Sequence, residues 1–155
     1  MIEKLEDCRI LLVDDDQDTR ILLTTVLEME GATVLAVGSA IAALNALEQF
    51  QPDLLLSDIV MPGIDGYSLL KQIRSQPQWN YLPAIAFTAL SGTRYEEQSI
   101  RAGFQVHLEK PIDFEPLIQA IQSLVPMKGT VCSIRTFDSA LNPPRLSLCG
   151  LQLSA

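Results

Sequence analysis

The stretch LLLSDIVMPGIDGYSLL, Leu54 to Leu70, contains the pattern that decides the fold. Three leucines and a serine form an apolar run of strand length, and the run leads to one carboxylate, Asp58. A Met-Pro-Gly turn follows, and a helical pattern begins soon after it. A buried charge without a partner is costly. A strand that ends on Asp58 therefore implies compensating groups elsewhere in the chain.

The same alternation of apolar strand and amphipathic helix extends on both sides of this stretch. Near-continuous apolar strands that are connected through helices are typical of a parallel sheet covered on both faces. The sequence therefore predicts an α/β protein with one doubly wound sheet of five parallel strands. The predicted strands are Arg9–Val13, Thr33–Val37, Leu54–Ser57, Ala84–Thr88 and Val106–Lys110.

Turn and capping residues mark the ends of the predicted helices. Gly31 is placed to end the first helix, which begins at Asp16, and Ser39 is placed to cap the second. Asp113 precedes the last helical stretch. The first helix is predicted to turn one apolar face inward, formed by Leu22, Leu23, Val26 and Leu27.

The chain is strongly acidic, but its charge is unevenly distributed. The net charge is −8 over 155 residues. Residues 127–155 hold three cations and one anion and carry +2, so residues 1–126 carry −10. A surface this acidic repels phosphate backbones, which argues against direct nucleic-acid binding. It favours a cation or a basic protein as partner.

The composition is that of an ordinary globular protein without a membrane segment. Apolar residues make up 48% and charged residues 19% of the chain. No apolar run approaches the ~18 residues that span a membrane, and the start, MIEKLEDCRI, lacks a signal-peptide core. Cys8, Cys132 and Cys149 match no metal-binding spacing, so they are predicted to be reduced thiols. We therefore expect a cytoplasmic location.

Polar residues stand at the ends of four predicted strands. Asp14 and Asp15 follow the first strand, Asp58 follows the third, Thr88 ends the fourth and Lys110 ends the fifth. Because the carboxyl ends of parallel strands meet at one edge, these side chains are expected to converge. Carboxylates brought together repel one another unless a cation such as Mg²⁺ neutralises them. Such a site suits phosphoryl transfer with an aspartate as nucleophile.

Four motifs, in order and at strand ends, carry a resemblance to a known family. They are VDDD, SDIVMPGIDG, FTAL and EKPID. With them the chain resembles the receiver domain of two-component response regulators, which implies a flavodoxin-like (βα)5 fold. Other acidic-site families fit less well. DDDQDTR lacks the Gly and Glu of a calcium loop, and a haloacid-dehalogenase-type motif would leave SDIVMPGIDG unexplained.

The resemblance implies a phosphoacceptor and a metal site. Asp58 would take a phosphoryl group from a phosphohistidine. Asp15 would coordinate Mg²⁺ directly and Asp14 largely through water. Asp58 and the backbone carbonyl of Val60 would be further ligands, and Mn²⁺ could substitute for Mg²⁺.

The resemblance also implies residues that act on the phosphoryl group and respond to it. With Asp58, Thr88 and Lys110 would form the catalytic set, Thr88 bonding a phosphoryl oxygen and Lys110 pairing with the group. The bond before Pro111 is expected to be cis. The family usually has Tyr or Phe where this chain has His107, its only histidine. Either His107 still performs the rotamer switch with Thr88, or the switch is weakened or depends on pH, because histidine titrates near neutral pH.

Two apolar positions bear on the lifetime of the phosphoryl group. Val60 and Leu90 each lie two residues after a site residue. Apolar side chains orient an attacking water poorly. We therefore predict a longer-lived phosphoryl group than in receivers with polar residues at these positions.

The predicted function is that of a signalling switch rather than a metabolic enzyme. The domain would be phosphorylated by a sensor histidine kinase or a histidine phosphotransfer domain, and would catalyse only its own phosphorylation and dephosphorylation. Its affinity for a downstream protein would change through the helix-four/strand-five face, and a homodimer is possible. Two alternatives stay open: a phosphorylation-independent binding module on the same fold, and the receiver fragment of a hybrid histidine kinase.

The chain is predicted to divide into a receiver domain over residues 8–126 and a C-terminal tail over residues 127–155. The tail loses the alternation of strand and helix and shows no clear helix-turn-helix pattern. We expect it to be mobile or loosely docked. An ordered extension packed on the domain, or a reading-frame artefact, is the alternative.

Overall fold

The computed structural model describes residues 4–125 of the chain. The predicted boundary after residue 126 and the predicted tail lie outside the described residues. Strands and helices alternate, and a 3₁₀ turn, Pro77–Trp79, precedes the fourth strand. The elements are β1 (Arg9–Val13), α1 (Gln17–Met29), β2 (Thr33–Val37), α2 (Ala40–Phe50), β3 (Leu54–Ser57), α3 (Gly66–Arg74), β4 (Ala84–Thr88), α4 (Thr93–Ala102), β5 (Val106–Glu109) and α5 (Phe114–Leu124).

The five strands pair in parallel in one sheet, in the order β2-β1-β3-β4-β5. The chain reverses its direction of travel across the sheet between β1 and β3, which is the switch point where ligands bind in such folds. Val13 pairs with Ser57 at the ends of these two strands. The predicted flavodoxin-like (βα)5 fold is confirmed.

Alternate residues of each central strand enter two separate cores. Leu11 and Val13 pack toward α2 and α3, whereas Ile10 and Leu12 pack toward α1 and α5. All four are completely buried. This alternation follows from the two-residue period of a strand, and it leaves only the strand ends for polar groups.

The first helix departs from its predicted packing. Leu23 and Leu27 are completely buried, but Leu22 is 54% exposed. Residues four apart share a helix face, whereas adjacent residues lie about 100° apart. The stripe that faces the sheet is therefore narrower than the four leucine and valine positions suggested.

A half-buried guanidinium ties α3 to the ends of two other elements. Arg74 donates to the carbonyl of Leu82 at 2.5 Å and to the carbonyl of Gly103 at 3.0 Å. Burial lowers the pKa of Arg74 to about 10, so this side chain still carries its charge at neutral pH.

Within residues 4–125, no helix has the length and apolar character needed to cross a membrane.

Candidate active site

The carboxyl ends of β1, β3 and β5 bring three charged side chains together. The Nζ atom of Lys110 lies 2.9 Å from Oδ2 of Asp14 and 3.2 Å from Oδ2 of Asp58. Asp14 is fully buried and Asp58 is 5% exposed. The carboxylate at the end of β3 is therefore not a lone charge, because the lysine that follows β5 is shared between it and Asp14.

Each polar group of Asp14 has a hydrogen-bond partner. Its backbone N–H donates to the carbonyl of Val37 at 3.2 Å, and its carbonyl accepts from Nη1 of Arg20 at 2.7 Å. Its Oδ1 accepts from the N–H of Asp16 at 2.9 Å, and its Oδ2 accepts from Lys110. A buried carboxylate is tolerated when its oxygens are bonded in this way.

The carboxylate of Asp58 is oriented from two sides. Its Oδ1 accepts from the N–H groups of Ile59 and Val60 at 2.7 and 3.3 Å. Its Oδ2 faces Lys110, and its own N–H donates to the carbonyl of Val13 at 2.8 Å. Hydrogen bonds to an ionised group are stronger than neutral ones, so the side chain is held in one direction.

Burial and charge act in opposite directions on the pKa values of this cluster. Burial raises the pKa of Asp14 above its ordinary value, and repulsion from Asp58 adds to the rise, although bonds from Asp16 and Lys110 oppose it. Burial by itself would lower the pKa of Lys110. The hydrogen bond to Asp14 and the attraction of Asp58 outweigh that effect and raise the pKa of Lys110. Lys110 is therefore charged at neutral pH.

Three carboxylates are close enough to share one cation. One oxygen from each of Asp14, Asp15 and Asp58 lies within 4.8 Å of the others, and Asp15 is the exposed member. Lys110 balances one of three negative charges, which leaves two for a divalent ion. Carboxylate oxygens are the donors that Mg²⁺ takes in proteins. The donor set fits Mg²⁺, and the exposed Asp15 opens the cluster to solvent.

Thr88 and His107 are connected through the loop that follows β4. The N–H of Leu90 donates to Oγ1 of Thr88 at 3.3 Å, and the carbonyl of Leu90 lies 3.3 Å from Nε2 of His107. The other ring nitrogen, Nδ1, lies 2.8 Å from the hydroxyl of Ser99 in α4. With a proton on Nε2 the ring donates to the carbonyl of Leu90, and Nδ1 accepts from the hydroxyl of Ser99. A hydrogen-bonded chain thus leads from the site to α4.

The structure places the predicted strand-end residues, Asp14, Asp15, Asp58, Thr88 and Lys110, at one edge of the sheet, whereas His107 lies inside β5 opposite Ala86. Two contributing residues were missed. Ser99 is fully buried, but a serine in the mostly polar helix α4 gives no sequence signal of burial. Arg20 reaches the carbonyl of Asp14 from one turn inside α1. The side chain of Val60 is 56% exposed, and its carbonyl as a metal ligand stays a prediction. The peptide bond before Pro111 is cis, as predicted.

The fold and the charged edge of the sheet define a class of protein, and comparison with known families gives the same class. Residues 10–122 match the family of the response regulator receiver domain. The chain belongs to this family. Its function is that of a response-regulator receiver in two-component signal transduction.

Relatives of similar length share most of the chain. An uncharacterized 14.6 kDa protein in the sodA1 3′ region of Leptolyngbya boryana is 43% identical over 78% of this chain and 92% of that protein. Sporulation initiation phosphotransferase F of Bacillus subtilis is 31% identical over 78% of this chain and 96% of its own length. The chemotaxis protein CheY4 of Vibrio cholerae has a solved structure that is 25% identical, with a TM-score of 0.71 over 75% of this chain and 97% of that one.

Other relatives are much longer than this chain. Hybrid signal transduction histidine kinase D of Dictyostelium discoideum is 34% identical over 81% of this chain, but the match covers 9% of the kinase. The chain thus corresponds to one small part of that protein.

Proposed function

We propose that the domain takes a phosphoryl group from a phosphohistidine onto Asp58 and changes its affinity for a protein partner as a result. The observation that carries this proposal is the pairing of Lys110 with both Asp14 and Asp58 in a nearly buried cluster. Burying charges opposes folding. A binding module that never used the site would gain nothing from this cluster, which speaks against the phosphorylation-independent alternative.

In the proposed reaction, a carboxylate oxygen of Asp58 attacks phosphorus, and the bond between phosphorus and the donor imidazole nitrogen breaks. The bonds from Ile59 and Val60 hold Oδ1, which leaves Oδ2, the oxygen that faces Lys110, as the proposed nucleophile. Lys110 would then pair with a phosphoryl oxygen. Bound Mg²⁺ would neutralise negative charge on the phosphoryl group.

Mg²⁺ is the proposed ion, and Mn²⁺ could replace it. Asp14 is fully buried and bonded through both oxygens, and its proposed role is largely through water. The exposed Asp15 would be the direct ligand, together with Asp58 and the carbonyl of Val60.

The output would be a shift of α4 and the loop before it. The hydroxyl of Thr88 would turn toward a phosphoryl oxygen and donate to it, which would break the bond that Thr88 accepts from the N–H of Leu90. The contact between the carbonyl of Leu90 and His107 would then loosen. The first turn of α4 has no side-chain cap, and Gly92 at its start is held by the carboxylate of Glu109 at 3.2 Å. An element with few buried contacts is the one that moves most easily.

The proposed partners are a phosphohistidine donor, from a sensor histidine kinase or a histidine phosphotransfer domain, and a downstream protein that binds the helix-four/strand-five face. One side of α4 also offers polar groups beside α3, in an open groove of about 560 Å³. The groove is lined by Tyr67, Arg94, Glu97, Gln98, Arg101 and Ala102.

We further propose a cytoplasmic location, no direct nucleic-acid binding, a possible homodimer, and no reaction beyond the domain's own phosphorylation and dephosphorylation.

A second candidate places the same chemistry inside a larger protein. The similarity to hybrid signal transduction histidine kinase D supports a receiver segment of such a kinase. In that setting the donor histidine would belong to the same polypeptide or its dimer partner, and Asp58 would pass the phosphoryl group on.

The test compares Asp58→Asn with Asp53→Asn, a matched control at the opposite end of β3. Each protein is incubated with acetyl phosphate, with Mg²⁺ or with a chelator, and its intact mass is measured. We expect wild type and Asp53→Asn to gain one phosphoryl group in Mg²⁺ only, and Asp58→Asn to gain none. A wild-type protein that gains none in Mg²⁺ would favour the binding-module alternative.

A further inference from the structure

The side chain of Arg20 bridges the ends of two neighbouring strands. Its Nη1 donates to the carbonyl of Asp14, which follows β1, at 2.7 Å. The same guanidinium lies over Gly38, the residue after β2, where an added Cβ would be 3.0 Å from Nη1 and 3.5 Å from the guanidinium carbon. Gly38 has no left-handed backbone. What the glycine provides is therefore space for Arg20.

The atom that Arg20 holds belongs to the peptide group that leads into Asp15. The carbonyl of Asp14 and the N–H and Cα of Asp15 lie in one plane, because the peptide bond is planar. Fixing this oxygen fixes the position from which the exposed side chain of Asp15 departs. Two bonds act on the peptide groups that flank Asp15: Arg20 holds the carbonyl before it, and Oδ1 of Asp14 accepts from the N–H of Asp16 after it. The Arg20 contact is the one that reaches Asp15 from another element, α1.

We propose that Arg20 is a positioning residue for the cation site, and that Gly38 leaves the space in which the guanidinium of Arg20 lies. The inference rests on the proposed function, in which Asp15 and Asp58 bind Mg²⁺. Arg20 fixes the peptide plane before Asp15, so the carboxylate of Asp15 meets the ion without first being ordered. Ligands oriented by neighbouring bonds bind metals more tightly than unsupported ones.

Charge and position predict opposite effects when Arg20 is removed. A positive charge near the cluster repels Mg²⁺, so if charge were its only effect, Arg20→Met would tighten Mg²⁺ binding. If Arg20 positions Asp15, the same substitution weakens binding. Gly38→Ala separates the two further, because it retains the charge and moves only the guanidinium away from the carbonyl of Asp14.

The experiment is a calorimetric titration of the full chain with MgCl₂. We expect Arg20→Met to raise the Kd about tenfold, the lower end of the effect of losing such a supporting bond. We expect Gly38→Ala to raise it in the wild-type background and to add nothing in the Arg20→Met background. The matched control is Arg9→Met, because Arg9 bonds the carbonyl of Phe50 at the other end of β1. It should lower the urea midpoint and leave the Kd unchanged.

A second readout needs no metal. The amide ¹⁵N and ¹H shifts of Asp15 should move in Arg20→Met and Gly38→Ala and stay in place in Arg9→Met. An unchanged or lower Kd in Arg20→Met, or an equal effect of Gly38→Ala in both backgrounds, would overturn the proposal. If Arg20→Met does not fold, Gly38→Ala alone decides. A wild type that binds no Mg²⁺ would overturn the proposed function together with this inference, whereas unchanged variants beside a binding wild type overturn the inference alone.

Discussion

Lys110 is the residue on which the charge balance of the site depends. It contacts two carboxylates, and its Nζ also lies 5.2 Å from the centre of the Phe87 ring. The ring supports a desolvated cation. Lys110 is therefore placed by the core on one side and by Asp14 and Asp58 on the other, and neither carboxylate can remain charged at low cost without it.

Replacing Lys110 by Met should destabilise the protein at neutral pH. Removing one partner of a buried ion pair costs about 3 kcal/mol, because the remaining charge is left without compensation. The loss should shrink in acid, where Asp14, whose pKa is already raised, takes up a proton. Urea unfolding of both proteins at neutral and at mildly acidic pH measures the difference. A loss that is equal at both pH values would contradict the assigned role of the pair.

The raised pKa of Lys110 also fixes the alkaline limit of this contribution. A lysine whose pKa is higher in the folded state stabilises the protein fully below its unfolded pKa, about 10.4, and the contribution is lost as the pH rises through the folded value. Wild type should therefore lose stability in this range more steeply than Lys110→Met.

Substitutions at Val60 and Leu90 test the predicted long lifetime of the phosphoryl group. A polar side chain at these positions orients a water molecule for attack, which an apolar one does poorly. Val60→Asn combined with Leu90→Glu should hasten dephosphorylation by more than about tenfold. The measurement is the decay of phosphoprotein after removal of the donor, with Ile41→Asn, an exposed apolar position on α2, as control. Equal decay in the double variant and wild type would refute the idea.

Among the elements, α4 is the least anchored helix of residues 4–125. Ser99 is its only buried residue, and the hydroxyl of Ser99 is bonded to His107 in β5. A polar pair at the base of a mostly exposed helix can open while exposing little apolar surface. We expect α4 to separate from β5 at this contact in the proposed switch.

Substitutions that break the contact between Ser99 and His107 from either side should have coupled effects on the free energy of unfolding. His107→Phe leaves the buried hydroxyl of Ser99 unbonded, which costs about 2 kcal/mol of unfolding free energy. Adding Ser99→Ala should recover part of this loss, so the two effects are not additive. A double-mutant cycle in urea measures it. Additive losses would mean that the contact contributes nothing.

The role of His107 in the switch stays a prediction. His107 either performs the switch as an aromatic residue does, or weakens it, or makes it depend on pH. His107→Tyr should alter the phosphorylation-dependent shift of α4 amide resonances relative to wild type. An unchanged shift would remove any special role for histidine here.

The start of α3 sets the position of Asp58 through one glycine. A Cβ on Gly66 would collide with the carbonyl oxygen of Asp58 and lie 2.8 Å from Cα of Ile59, and both obstacles are backbone. Gly66→Ala should cost about 2 kcal/mol of unfolding free energy and slow phosphorylation, because Asp58 must move. Gly63→Ala is the control: it strains a left-handed residue but meets no atom within 4 Å. Equal phosphorylation rates in the two variants would argue against this role of Gly66.

The elements themselves were predictable, whereas the contacts between them were not. Four strands have the predicted bounds and the fifth stops one residue earlier, because apolar runs and flanking turn residues are local signals. Leu22 was misplaced because a sequence gives helix periodicity but not the width of the buried stripe. The bond of Ser99 to His107 and the contact of Arg20 with Gly38 depend on side-chain directions that no local pattern encodes.

For the whole molecule, the switch point between β1 and β3 links the site to global stability. Any ligand that binds only the folded state stabilises it by mass action. Mg²⁺ at a hundredfold excess over its Kd should raise the free energy of unfolding by about 2.7 kcal/mol. Asp15→Asn should remove most of this gain, whereas Asp53→Asn should retain it. Urea unfolding with and without Mg²⁺ measures both, and equal gains in the two variants would exclude Asp15 as a ligand.

The sparse anchoring of α4 also has an evolutionary consequence. The groups proposed for phosphoryl chemistry stand at strand ends, while most of the surface of α4 touches neither core. Substitutions on that surface can therefore accumulate without loss of stability or of reactivity. After duplication of such a gene, two copies could come to bind different partner proteins through a few exposed substitutions on α4, while both keep the same phosphoryl chemistry.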